Sequence, residues 1–222
     1  MTRVVLKLGG KVARDTAVRA LDLVGAGNQV VVVHGAGAQI TSELRRQGIT
    51  SEFVDGRRVS PPATLSVVRS SLVAVGAEVS AALGPAALPL VGDEIGLEAR
   101  PLPGLGLVGE PLPCRPPAVE AALAAGRIPV VAPIAVGPLN VNADEAASAL
   151  AVGLGAHGIL FVSDVPGVFV EGALAERIDA NEAEELLGSG ALEGGIVPKL
   201  LAAVRAARLG VRAQIGVTEV LA

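Results

Sequence analysis

The chain of 222 residues contains no Trp, no Tyr and only three Phe. Its core must therefore be built from Val, Leu, Ile and Ala, and single-stranded nucleic acid would find almost no aromatic platforms to stack on. The single cysteine, Cys114, excludes an internal disulfide and any Cys-based zinc cluster. His34 and His157 lie far apart in sequence, which argues against a His-rich site, so no metal-ligating residues are expected. Charged residues make up 18% of the chain, the net charge is −4 and no basic run exists, so no surface for tracking nucleic-acid phosphates is expected. The apolar stretch from Ala146 to Val162 falls short of the ~20 residues a membrane span needs. It is also interrupted by Gly153, Gly155 and His157, and reads as helix, turn and strand. Lys7 inside the short apolar run at the N-terminus makes a poor secretion signal, so a cytoplasmic location is expected.

Lysine is scarce as well. Of 18 basic residues, 15 are Arg and three are Lys: Lys7, Lys11 and Lys199. Arg is a planar fork, whereas Lys is a compact point charge that fits between phosphate oxygens. Positions where Lys persists in so Arg-rich a chain are therefore candidates for anion chemistry.

What is present is apolar and periodic. Hydrophobic residues make up 51% of the chain, which excludes disorder, and the length suits one large domain or two small ones. Strand and helix patterns alternate: strands at 3–8, 29–33, 128–134, 159–162, 211–215 and 217–221, and helices at 15–24, 38–47, 65–83, 117–125, 144–152, 181–187 and 198–209. A break in the long helix is possible at Gly76, and the Gly- and Pro-rich segment 84–117 reads as hairpins and loops. The alternation predicts an α/β fold with a mainly parallel sheet, in which ligands bind at the carboxyl ends of strands.

Polar and glycine-rich turns mark those ends. Lys7-Leu8-Gly9-Gly10 and His34-Gly35-Ala36-Gly37 each follow a strand directly. Such turns either serve only as tight connections or let backbone amides approach an anion at a helix N-terminus. Gly35 and Gly37 also suggest a dinucleotide site with Asp55 on the ribose, but Ile40 occupies the third glycine position. Asn140, Asn142 and Asp144 alternate before a helix; one of them can cap it, and in an extended segment all three would share a face. Ser163-Asp164-Val165-Pro166-Gly167 ends a strand in a polar turn. Gly194-Gly195 opens the last helix, and Lys199 sits in its first turn, where the helix macrodipole disfavours a cation.

Taken in order, these segments resemble the amino acid kinase family. So do Gly56-Arg57-Arg58-Val59 and Gly106-Leu107-Val108-Gly109-Glu110. The resemblance spans nearly the whole chain and is weakest from Pro61 to Leu105. It implies a three-layer α/β/α sandwich around a mainly parallel open sheet. Residues 1–137 would bind the amino-acid substrate and dimerise, and residues 138–222 would bind the nucleotide. Among family members it is closest to those that move the γ-phosphoryl group of ATP onto the side-chain carboxylate of N-acetyl-L-glutamate, in arginine biosynthesis. By resemblance, Lys7 and Lys199 stabilise the moving phosphoryl group and Asp144 holds both lysines. Gly35, Ala36, Gly37, Arg58, Asn140 and Asn142 take the substrate, with Arg58 on its α-carboxylate. Gly9, Gly10, Ser163, Asp164, Val165, Gly167, Gly194 and Gly195 border ATP, and Mg²⁺ rides on the phosphates.

Several features depart from the family pattern. Ala36 replaces a usual glycine and would cost roughly 1 kcal/mol if a positive φ were needed there. Glu78-Val79 stands where an Asn-Lys pair is common, and after Ile215 a helix of the relatives is skipped. The chain begins on its first strand, without the helix used in arginine-inhibited hexamers, so a homodimer without arginine feedback is expected. Three rival readings remain. A related kinase acting on aminoadipate or glutamate held on a carrier protein would need a basic docking surface. An NAD-dependent oxidoreductase leaves Lys7, Asn140, Asp144 and Lys199 without a role. A non-catalytic amino-acid sensor has no need of the intact lysines.

Overall fold

The computed structural model describes residues 1–9, 13–162 and 165–222, with the side chains of 13–16 left aside; Gly10, Ser163 and Asp164, expected at the nucleotide, lie outside the described residues. In chain order the first half holds β1 (Arg3–Leu8), α1 (Ala13–Gly25), β2 (Gln29–His34), α2 (Gly37–Arg46), β3 (Phe53–Val54), β4 (Arg57–Arg58), α3 (Pro62–Leu83), β5 (Ala87–Val91), α4 (Gly92–Ile95), β6 (Ala99–Pro101) and β7 (Val108–Pro111). The second half holds α5 (Pro117–Ala124), β8 (Ile128–Ala132), β9 (Ile134–Ala135), β10 (Leu139–Val141), α6 (Ala143–Gly153), β11 (Gly158–Val162), β12 (Phe169–Val170), β13 (Ala173–Leu174), β14 (Arg177–Asp179), α7 (Ala180–Gly188), α8 (Ile196–Arg208), β15 (Arg212–Ile215) and β16 (Thr218–Leu221).

Eight strands form the main sheet in the order β14-β16-β15-β11-β1-β2-β8-β5. From β15 to β5 every pairing is parallel; β16 turns back antiparallel on β15, and β14 runs parallel to β16. A smaller sheet, β6-β7-β10-β9, stands beside it.

Strand alternation sends successive side chains to opposite faces. Val5, Val31, Val33 and Phe161 face the layer of α5, α6 and α8. Leu6, Leu8, Val30 and Val32 face α1, α2 and α3. This is the expected α/β/α sandwich. Small side chains substitute for the missing aromatics: Ala146, Ala147 and Ala151 of α6 and Ala202, Ala203 and Ala206 of α8 are all buried, which lets these helices approach closely. Where α6 ends, a Cβ on Gly153 would lie 2.0 Å from the Cys114 carbonyl oxygen, which is backbone and cannot swing aside. Gly153→Ala should therefore cost about 1–3 kcal/mol. An unchanged thermal midpoint would contradict this packing.

By length and composition α3 could cross a membrane. Here it lays Val68, Leu72, Val75 and Val79 on the core, while Arg69 points outward to Asp93 and Glu94. The helix is continuous through Gly76, where a Cβ would meet the His34 ring at 3.0 Å. Two further expectations need correcting. Residues 87–91 form not a hairpin but β5, the parallel edge of the main sheet, where the missing amide of Pro89 is tolerated. The strand expected through Ile134 stops at Ala132 and resumes as β9, which pairs with β10.

Candidate active site

Lys7 is the penultimate residue of β1 and lies between Val33 of β2 and Phe161 of β11. It shares the strand face of Val5, so its side chain enters the α6 layer at the carboxyl edge of the sheet. There the Asn142 side chain caps α6, its Oδ1 accepting from the amides of Asp144 (2.8 Å) and Glu145 (3.3 Å). The cap fixes Asp144 in the first turn, where the helix macrodipole favours negative charge. Lys7 Nζ lies 2.7 Å from Asp144 Oδ1, with side chains only 6% and 8% exposed. The expected extended face therefore ends at Asn142, because the backbone turns helical to satisfy its amides. Asn142 spends its oxygen on the cap.

Lys7, Asn140, Asn142 and Asp144 nevertheless line one cavity of about 300 Å³, together with Arg58 and the Gly35-Ala36-Gly37 turn. Ile40, Leu72, Val108 and Pro133 form its apolar wall. Arg58 is buried and held from several sides: Nη2 donates to Thr41 Oγ1 (2.9 Å), Nη1 donates to Ser51 Oγ, and the guanidinium lies 4.5 Å from the centre of the Phe53 ring. All these partners are neutral. Among the described residues no carboxylate pairs with Arg58, and burial lowers the proton affinity of its guanidinium, which still stays charged. Asn140 Nδ2 donates to Ser60 Oγ (2.9 Å), whose hydroxyl donates to the Arg58 carbonyl (2.8 Å). The cavity is thus lined by a preset cation and by a lysine–carboxylate pair.

The glycine turns differ in detail from expectation. The amides of Gly9 and Gly35 are already bonded to the carbonyls of Val162 (3.2 Å) and Leu8 (3.1 Å). The start of α2 lines the cavity at Gly37 and Ala38, and its first turn has no capping side chain. Ala36 has φ −139, so no positive φ is required and the expected strain is absent.

On the far side, Gly195 precedes α8, and Lys199 Nζ donates to its carbonyl (2.9 Å). Lys199 is buried but does not line the cavity described above. Pro198 brings the start of α8 within 4.0 Å of a Cβ built on Gly56, beside that cavity. Gly194 is exposed with φ 68. Val165 is half-buried, and Gly167 is pressed against the terminal hairpin, where a Cβ would meet Thr218 Oγ1 at 2.5 Å. That hairpin joins β15 to β16 with no intervening helix.

Residues 2–216 match the family model described as the amino acid kinase family. The chain belongs to the amino acid kinase family. The acetylglutamate kinase of Rubrobacter xylanophilus is 38% identical over 224 residues, covering 97% of this chain and 88% of the relative. That of Saccharopolyspora erythraea is 41% identical over 235 residues, covering 94% and 77%. A solved Streptococcus mutans structure superposes with a TM-score of 0.89 at 26% identity, covering 99% of this chain and 98% of the other. Carbamate kinase from Giardia lamblia bound to AMP-PNP shares the fold, with a TM-score of 0.73 at 16% identity over 99% and 98% of the two chains.

Family membership removes the dinucleotide reading, and the geometry agrees. Asp55 sits in the turn between β3 and β4 with φ 49, not at a strand end facing a ribose. His34 ends β2 just before the Gly35-Ala36-Gly37 turn. His34 is fully buried under Gly76 of α3, and neither ring nitrogen finds a well-formed hydrogen bond among the described residues. Burial lowers its pKa to about 4, and the Gly35 backbone offsets this only partly. The unfolded chain takes up a proton near 6.5, whereas the folded chain resists until about 4. Stability is therefore intact above 6.5 and falls as pH drops to 4, by on the order of 3 kcal/mol. Urea midpoints for parent and His34→Gln should diverge less at pH 4.5 than at pH 7. Parallel acid losses would show that His34 is not buried neutral.

Proposed function

We propose that this kinase transfers the γ-phosphoryl group of ATP to the side-chain carboxylate of N-acetyl-L-glutamate, forming an acyl phosphate in arginine biosynthesis. The observation that carries this reading is Arg58, a buried cation with only neutral partners, lining a cavity that Lys7 and Asp144 also line. A guanidinium so placed selects a carboxylate by a two-point fork. It anchors the α-carboxylate, so the side-chain carboxylate extends toward Lys7. Ile40, Leu72 and Val108 give the acyl group an apolar wall, and Asn140 contributes an amide.

Phosphoryl transfer asks the protein mainly for positioning and charge neutralisation. Lys7, fixed by Asp144, offsets the charge growing between acceptor and phosphorus, and Lys199 does so from the nucleotide side. The amides at the start of α2 add donors to the same region. Residues 138–222, with Ser163, Asp164, Val165, Gly167, Gly194 and Gly195, border the nucleotide, and residues 1–137 bind the amino acid and form a homodimer. With no Trp or Tyr in the chain, aliphatic walls and backbone hold the adenine. Mg²⁺ would ride on the ATP phosphates. When bound, Mg²⁺ neutralises phosphate charge. The reaction belongs in the cytoplasm, where ATP is available.

ADP release from Mg-ATP should be fast with N-acetyl-L-glutamate and slow with glutamate, aspartate or aminoadipate. Preference for any of the last three would refute the acceptor assignment.

A further inference from the structure

The β3–β4 hairpin overhangs the cavity with little core beneath it. Each strand has two residues, and Phe53 and Val54 are exposed. Asp55 and Gly56 turn with φ 49 and 73, the two positive angles of a tight hairpin turn. Its position must therefore be set by contacts from outside. Arg58 is tied to Ser51 and Thr41, on its own side of the cavity. Arg57, the residue before it, reaches α6 instead. Its Nη2 lies 2.8 Å from Glu145 Oε1, and its Nε lies 3.4 Å from Oε2. The two side chains are 23% and 15% exposed, so the pair is largely shielded from solvent.

Glu145 follows Asp144 in the first turn of α6, and Asn142 caps the amides of both. One capped turn thus holds Lys7 through Asp144 and the hairpin through Glu145. Arg57 lines the cavity, whereas Glu145 does not. We propose that Arg57 and Glu145 form a positioning pair that clamps the hairpin over the cavity and keeps Arg58 in register with Lys7 and Asp144. The pair acts on acceptor binding and makes it sensitive to acid. This inference rests on the functional reading above.

The groups facing Glu145 are Arg57 of β4, Glu110 of β7 and Arg205 of α8; Glu110 is itself paired with Arg205 (3.1 Å) and with Arg100 of β6. Its neighbour Asp144 is neutralised by Lys7 of β1. Burial, with Glu110 adding to it, holds the Glu145 carboxyl above the usual carboxylate range, although Arg57 and Arg205 pull the other way. As pH falls, Glu145 therefore takes up its proton and releases Arg57 ahead of an ordinary carboxylate.

The test is a double-mutant cycle with Glu145→Gln, Arg57→Gln and the pair of changes, read by steady-state kinetics and by hydrogen exchange of amides 53–58 in the free protein. Each single change should raise KM for N-acetyl-L-glutamate about five- to twentyfold, far more than it lowers kcat or raises KM for ATP. The double variant should be no worse than the weaker single variant, because one interaction is lost in all three. In the parent, KM should rise on acidification, starting above the usual carboxylate range, and Glu145→Gln should flatten that rise. The hairpin amides should exchange faster in both single variants. An effect in Arg57→Gln without one in Glu145→Gln would mean that Arg57 touches substrate directly, and would overturn the pair. Additive losses would overturn it too. If the parent makes no product from N-acetyl-L-glutamate, the functional reading fails by itself. Exchange then decides the pair: hairpin amides no faster in Glu145→Gln than in the parent refute the clamp.

Discussion

Lys7→Arg should lower kcat by roughly 10²- to 10³-fold, the scale of losing one preorganised charge-stabilising donor. Affinity for Mg-ATP should weaken far less. Charge is conserved in this change, so simple electrostatics at a distance predicts almost no effect. The expected loss comes from shape. Lys7 reaches Asp144 at 2.7 Å in a site where both side chains are almost fully buried. A guanidinium is wider, and its planar fork cannot occupy an ammonium's place between Asp144 and a phosphoryl oxygen without displacing one of them. Single-turnover rates at saturating ATP report this step. Near-normal turnover would mean that Lys7 is remote from the transferring group.

Asp144→Asn should be as damaging, for two separable reasons. It removes the partner of a buried ammonium, which typically costs about 3–5 kcal/mol of stability. It also frees Lys7 from its position, so kcat falls even where the protein remains folded. Combining Lys7→Met with Asp144→Leu separates the two. With neither charge left to desolvate, the double variant should regain most of the stability lost in Asp144→Asn and none of the activity. Chemical denaturation measures the first and product formation the second. A double variant as unstable as Asp144→Asn would show that the pair does not carry the cost.

How far the sequence alone reaches depends on which physics decides each element. β1 and β2 are legible nearly to the residue, because buried parallel strands read as continuous Val and Leu runs bounded by Gly and Asn. The helices of 196–208 and 143–153 are legible from their opening residues, but the buried face of the first is made mostly of alanines, while Leu201 and Leu209 are exposed. β5 is not, since Pro89 looks like a breaker until the strand is known to lie at a sheet edge. Lys7 and Asp144 can be picked out by residue type and position, yet nothing in local sequence says which of Asn140, Asn142 and Asp144 would be the cap. Ala36 looked strained only because a glycine was expected; its backbone needs none. The packing of His34 under Gly76 is not legible, because it is a contact between distant elements. Arg57 and Glu145, 88 residues apart, are ordinary surface charges on paper and a shielded fork in the fold.

Phosphoryl transfer to the side-chain carboxylate leaves a chemically distinctive product. An acyl phosphate reacts with hydroxylamine to give a hydroxamate, whereas hydrolysis of ATP leaves only inorganic phosphate. The decisive measurement incubates the protein with Mg-ATP, N-acetyl-L-glutamate and hydroxylamine. A hydroxamate of N-acetylglutamate should accumulate in step with ADP, and should be lost in Lys7→Arg. ADP without hydroxamate, or no reaction at all, would contradict the assignment of this cavity to acetylglutamate phosphorylation.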